Sequence, residues 1–213
     1  MHDISIIQKI AVYALPLIFA ITLHEAAHAY VANKYGDNTA KILGRMTLNP
    51  LSHIDLFGTL IFPMIGLLLG GFIFGWAKAV PINFRRLYNP KRNLFWVAFA
   101  GPLANLAMAL IWALILRFSI YLPDFFSTPL SLMAQAGIQI NISLMLINLI
   151  PILPLDGGRM LFSVLPNKEA TKFAKTEPYG MIILLILLAF GLFNFVLQPI
   201  FSAIVDFIFY LIQ

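Results

Sequence analysis

The residues with the clearest chemical potential in this chain are His24, Glu25 and His28, in the pentapeptide His24-Glu25-Ala26-Ala27-His28. On a helix, positions four apart share one face, so both imidazoles project together, one turn from each other, with Glu25 close beside them. Two histidines and an adjacent glutamate in that spacing suit a zinc ion with a general base next to it. The pentapeptide closes an uninterrupted apolar run. Ionisable groups in such a run cost several kcal/mol unless they are paired, bound to metal or facing a wet cavity, so they mark function by default.

A catalytic zinc site needs a third protein ligand and keeps its fourth position for water. The chain has no cysteine, which excludes disulfides, thiolate zinc sites and a cysteine nucleophile and leaves His, Asp and Glu as the strong ligands. Besides Glu25, the acids within or beside apolar stretches are Asp55, Asp156 and Asp206. Asp156 has the most unusual setting, Asn148-Leu149-Ile150-Pro151-Ile152-Leu153-Pro154-Leu155-Asp156-Gly157-Gly158. Two prolines and two glycines open a helix there, and irregular backbone at membrane depth is tolerated only where it is buried in protein or lines a cavity.

The elements that must position these groups are read from composition. Hydrophobic residues make up 61% of the chain and charged ones 11%, with a mean hydropathy of +0.89, against about 25% charged residues in a soluble domain. This predicts an all-α, polytopic membrane protein, a single domain over 1–213 with its core at 6–165. Apolar stretches fall at 6–32, 56–75, 93–121, 130–165 and 180–212, each near or above the roughly 20 residues that a spanning helix needs. A bundle of about five or six membrane segments follows. The first stretch is read as a retained helix, although Ala27-His28-Ala29 loosely matches a cleavage pattern.

Stretch 56–75 carries Pro63, Gly66, Gly70, Gly71 and Gly75 and is expected to be re-entrant or broken. If it returns to the side it left, all fourteen Lys and Arg except Lys9 and Arg117 collect on one face. The positive-inside bias places that face in the cytoplasm, which brings Asp156 to the depth of the histidines. The +5 net charge is then a matter of topology and anionic lipid, and nucleic acid is not an expected partner. Alternation over Lys41–Leu48 predicts a short β-like element near 40–50 that would pair with an extended peptide. The segment 181–212 exceeds one span, and Gly191, Asn194 and Pro199 suggest a hairpin or kink that would gate the site.

Three motifs together resemble the site-2 protease family of zinc intramembrane metalloproteases, peptidase family M50. His24 to His28 matches its HExxH, Gly101-Pro102-Leu103-Ala104-Asn105 is similar to its AGP-containing central helix, and Asn148 to Gly158 matches its proline-rich LDG signature. Gly44 to Pro50, with His53, Asp55 and Gly58, is similar to its compact bacterial branch without PDZ or CBS domains. The resemblance implies one zinc per chain on His24, His28 and Asp156, Glu25 as general base, and Asn148 on the substrate carbonyl or its oxyanion. It implies cleavage of transmembrane protein substrates in the plasma membrane, with the active site towards the cytoplasm. A metal-ion transporter built on the same His and Asp groups is the rival reading. Asn105 stands evenly between a site role and a bond to a neighbouring helix, and His53 is expected to bond to backbone.

Overall fold

The computed structural model describes residues 6–55, 58, 61 and 78–212, and the chain is all-helical over them. The helices are α1 (Ile6–Lys34), α2 (Thr39–Ile42), α3 (Pro90–Ser119), α4 (Asp124–Asn148), α5 (Asp156–Val164), α6 (Asn167–Ala174), α7 (Gly180–Ala189) and α8 (Gln198–Ile212). Among the described residues, four segments are long and apolar enough to cross a membrane: Ile10–Lys34, Pro90–Ser119, Asp124–Asn148 and Phe193–Ile212. Apart from residues 58 and 61, the re-entrant segment expected at 56–75 lies outside the described residues.

Helices α1, α3 and α4 pack on one another, and α5 lies against α3. Small side chains allow this approach. Ala20, Ala26, Ala29 and Ala32 are all buried on α1, and without a hydrophobic drive between helices in lipid, small residues gain contact by letting backbones come close. On α4, a Cβ at Gly137 would lie 2.4 Å from Trp112 Cγ, so the indole of α3 packs directly on the α4 backbone. Ile138 and Ile142 complete that core.

The apolar stretch 130–165 is two helices rather than one. Helix α4 stops at Asn148, Pro151 and Pro154 forbid helical continuation, and α5 restarts at Asp156. The intervening loop folds back so closely that a Cβ at Gly157 would sit 2.2 Å from Leu149 O, and one at Gly158 2.4 Å from the Ile152 carbonyl carbon. The two glycines thus let the loop wrap the first turn of α5.

The break expected in 181–212 is present and falls at Gly191, whose φ of 90° suits glycine. Pro199 instead sits inside α8, just after a π-helical turn over Phe193–Leu197. Only 11% of the C-terminal span is buried, against 44% for α3 and for α4, so α8 lies at the periphery.

The β-like element expected at 40–50 is not formed. Thr39–Ile42 is a helical turn, Gly44 (φ 65°) reverses the chain, and Pro50–Ser52 is a 3-10 turn capped by Asn49. Alternation fits a strand only where a neighbouring strand takes its amides. Here they are taken locally, by Thr39 O for Leu43 and Ala40 O for Arg45.

Candidate metal centre

Helix α1 presents His24 and His28 on one face, with Nε2 atoms 3.1 Å apart. From the start of α5, Asp156 Oδ2 reaches 3.2 Å from His24 Nε2 and 3.3 Å from His28 Nε2. All three residues are buried. A tetrahedral ion with ligand bonds of about 2.0 Å has neighbouring donor atoms about 3.3 Å apart, so the observed triangle is the size that zinc requires. Asp156 Oδ2 is buried and has no hydrogen-bond partner, a state that costs free energy unless a cation compensates it. Donor type, spacing and this orphaned oxygen all fit a zinc ion.

Each imidazole is oriented through its other nitrogen. His28 Nδ1 donates to the Val97 carbonyl at 2.7 Å, and His24 Nδ1 meets Asn105 Oδ1 at 2.6 Å. With the proton on Nδ1, Nε2 carries the lone pair. Space for the rings comes from α3, where a Cβ at Gly101 would lie 2.4 Å from His28 Nε2 and 2.6 Å from His24 Nε2. Gly101 is therefore the floor of the site, a stricter role than helix packing alone.

Glu25 is buried beside the cluster, and its Oε2 accepts the Val80 N–H at 2.7 Å. Val80 belongs to a non-helical segment that Asp37 also holds, because Asp37 Oδ2 accepts the Asn83 N–H at 2.6 Å. Asn148, at the end of α4, donates its Nδ2 to Leu144 O at 3.0 Å, which leaves one amide proton of the pair for another acceptor. The structure thus brings together His24, His28 and Asp156, sets Glu25 alongside, and turns part of Asn148 back onto its own helix.

The other candidates stand apart. Asp55 accepts the Gly58 N–H at 2.7 Å, Asp206 is exposed on α8, and His53 Nε2 donates to the Thr47 carbonyl at 2.9 Å, as expected of a loop histidine. Sequence reasoning overlooked Asn141 and Val80. Asn141 had a signal, a polar residue within an apolar run; Val80 contributes only backbone and had none.

A helical membrane bundle with a buried His, His, Asp triad and a flanking glutamate defines a membrane metallopeptidase scaffold. The sequence profile of peptidase family M50 matches residues 12–131 and 123–191, and the chain belongs to that family. It is 39% identical to the candidate zinc metalloprotease YwhC of Bacillus subtilis over 193 residues, 89% of this chain and 85% of that protein. It is 29% identical to the candidate zinc metalloprotease Rip2 of Mycobacterium tuberculosis over 174 residues, 80% of this chain and 63% of that protein. A zinc metalloprotease of Methanocaldococcus jannaschii is 28% identical over 188 residues, 86% of this chain and 44% of that protein. No solved structure matches the chain significantly.

Proposed function

We propose that this protein is a zinc-dependent intramembrane endopeptidase that hydrolyses a peptide bond in or near the transmembrane segment of membrane protein substrates. The observation that carries the reading is the triangle of His24 Nε2, His28 Nε2 and Asp156 Oδ2, with sides of 3.1, 3.2 and 3.3 Å, at the mouth of a spanning helix with Glu25 next to it.

His24, His28 and Asp156 hold the metal. Zinc, when bound, would supply a Lewis acid that polarises the scissile carbonyl and lowers the pKa of water towards roughly 7. Glu25 is the general base. Its Oε2 is occupied by Val80 N–H, so Oε1 takes the proton from water and later returns it to the leaving amine. The Asn148 amide proton that Leu144 does not engage donates to the oxyanion, a contact worth about 3 kcal/mol for a single donor.

The active site faces the cytoplasm of a plasma membrane. Support comes from the basic loops: Arg45 donates to the Lys78 carbonyl at 2.8 Å, and Lys91 donates to Asn167 Oδ1 at 2.9 Å, which ties these loops to one end of the bundle. Arg117 lies at the other end of α3. The weakly buried α7 and α8 form the side through which a transmembrane substrate enters. In a transporter the ligands would be staged along a path, whereas His24, His28 and Asp156 are the single metal-capable group among the described residues.

The test is cleavage of fluorescent transmembrane peptides in detergent by wild type and Glu25→Gln, with zinc quantified in both. Cleavage by wild type alone, at about one zinc in each protein, is the expected result. Equal cleavage by both proteins would remove Glu25 as the base. Absence of cleavage together with zinc flux in vesicles that survives Glu25→Gln would replace the peptidase with a transporter.

A further inference from the structure

Asn105 on α3 and Asn141 on α4 are both fully buried, and they form a hydrogen-bond chain that can run in only one direction. The Gly137 carbonyl has no proton to give, so it takes the Asn141 Nδ2 at 2.8 Å. This turns Asn141 Oδ1 towards Asn105 Nδ2, 3.0 Å away. The same Asn105 nitrogen lies 3.4 Å from the Ala20 carbonyl, a second acceptor. Asn105 must therefore present its oxygen to His24 Nδ1, at 2.6 Å. A flip of either amide would set oxygen against oxygen at one end and nitrogen against a donor at the other.

The two imidazoles are thus held by different means. His28 relies on the Val97 main-chain carbonyl, which no substitution removes. His24 relies on two side chains from two other helices. We propose that Asn105 and Asn141 are positioning residues that keep the His24 proton on Nδ1 and its Nε2 lone pair turned towards His28 Nε2 and Asp156 Oδ2. The inference rests on the zinc reading above and adds to it the device that fixes one ligand. A pair of asparagines that only glued helices together would be indifferent to which end donates. Here the direction is set at Gly137 and transmitted through two amides to the ring.

The experiment measures zinc dissociation constants by competition with a chromophoric chelator on the full chain in detergent, with melting of the metal-free proteins recorded in parallel. Asn105→Leu is expected to weaken zinc binding 10- to 100-fold, the usual effect of losing such an outer partner. Asn141→Leu weakens it less. The double variant matches Asn105→Leu, because Asn141 acts through Asn105. Asn105→Asp keeps an acceptor for His24 Nδ1 and sets a carboxylate against Asn141 Oδ1, so it holds zinc within a few-fold of wild type while its metal-free melting temperature falls. Asn105→Asp and Asn141→Leu carry the test if Asn105→Leu does not fold.

A merely structural role makes zinc affinity track melting temperature through the series, and that result would overturn the proposal. So would an Asn105→Leu protein that binds zinc as wild type does, provided that His28→Ala does not. If wild type and His28→Ala take up zinc alike, the zinc reading itself fails, a separate outcome from loss of the Asn105 effect.

Discussion

The Val80 backbone N–H donates to Glu25 Oε2 at 2.7 Å, across 55 residues of sequence. One carboxylate oxygen is thereby fixed by the main chain, and the orientation of the other follows from it. The same segment is fastened further along, where Asn83 N–H reaches Asp37 Oδ2, and Asp37 also accepts from Thr39 N–H at 3.0 Å. Two carboxylates on or just beyond α1 thus hold Val80–Asn83 in register over the site.

Asp37→Ala removes that second fastening and with it the part-buried bonds from Asn83 N–H and Thr39 N–H. A loss of about 0.5–1.5 kcal/mol is expected for each lost bond, read as a lower melting temperature. Turnover falls as well, because Val80 no longer presents its amide to Glu25, whereas zinc content stays at the wild-type level. Full turnover in a protein that melts earlier would show that the segment does not position the base.

Gly101→Ala tests the floor of the site. The added methyl would lie within 2.6 Å of both His24 and His28, a separation that side chains do not tolerate, and the rings cannot retreat while their Nδ1 atoms stay bonded to Asn105 and Val97. Zinc affinity is expected to fall at least 100-fold and peptidase activity to vanish, while far-UV circular dichroism remains that of the wild type. Overpacking of this kind typically costs 1–3 kcal/mol, so some loss in melting temperature accompanies it. Unimpaired zinc uptake would mean that the histidines bind metal in another place.

Gly101 also illustrates what a sequence conveys and what it hides. The HEAAH spacing and the proline-rich setting of Asp156 were readable, because helix periodicity and helix breakers act locally and imply geometry directly. Long apolar stretches were readable from hydropathy, but 130–165 was read as one stretch where α4 ends at Asn148 and α5 begins at Asp156. The relay from Asn105 to Asn141 was not, since it depends on which faces of α3 and α4 meet, and small-residue packing between apolar helices leaves little periodic trace. Alternation at Lys41–Leu48 misled because period two describes a strand only when a partner strand exists; here Gly44 turned the chain and local carbonyls took the amides. Of Gly191, Asn194 and Pro199, which together suggested a break, Gly191 supplies it and Pro199 sits inside α8.

Gly180→Ala addresses how the peripheral helices touch the site. A Cβ there would lie 1.5 Å from the Leu153 carbonyl oxygen, so the start of α7 rests directly on the loop that carries Asp156. The substitution must push α7 outwards or shift the loop. Weaker zinc binding with a lower melting temperature is expected if the loop yields, and altered turnover at unchanged zinc affinity if α7 does. A protein identical to wild type in all three measurements would remove α7 from any account of substrate entry.

Removal of the metal should expose how far the bundle depends on it. The three proposed ligands come from α1 and α5, and hydrogen bonds from His28 to Val97 and from His24 to Asn105 extend the cluster to α3. Without a cation, Asp156 Oδ2 remains buried with no hydrogen-bond donor, so the metal-free state carries an unsatisfied group as well as a missing cross-link. A ligand that binds only the folded chain stabilises it by about 2.7 kcal/mol at 100 times its dissociation constant. Chelation of purified protein is therefore expected to lower the melting temperature by several degrees, and added zinc to restore it. Asp156→Asn removes the orphaned charge together with a ligand. It should melt like the chelated wild type or higher and gain little from zinc, whereas a zinc-dependent rise as large as that of wild type would take Asp156 out of the ligand set.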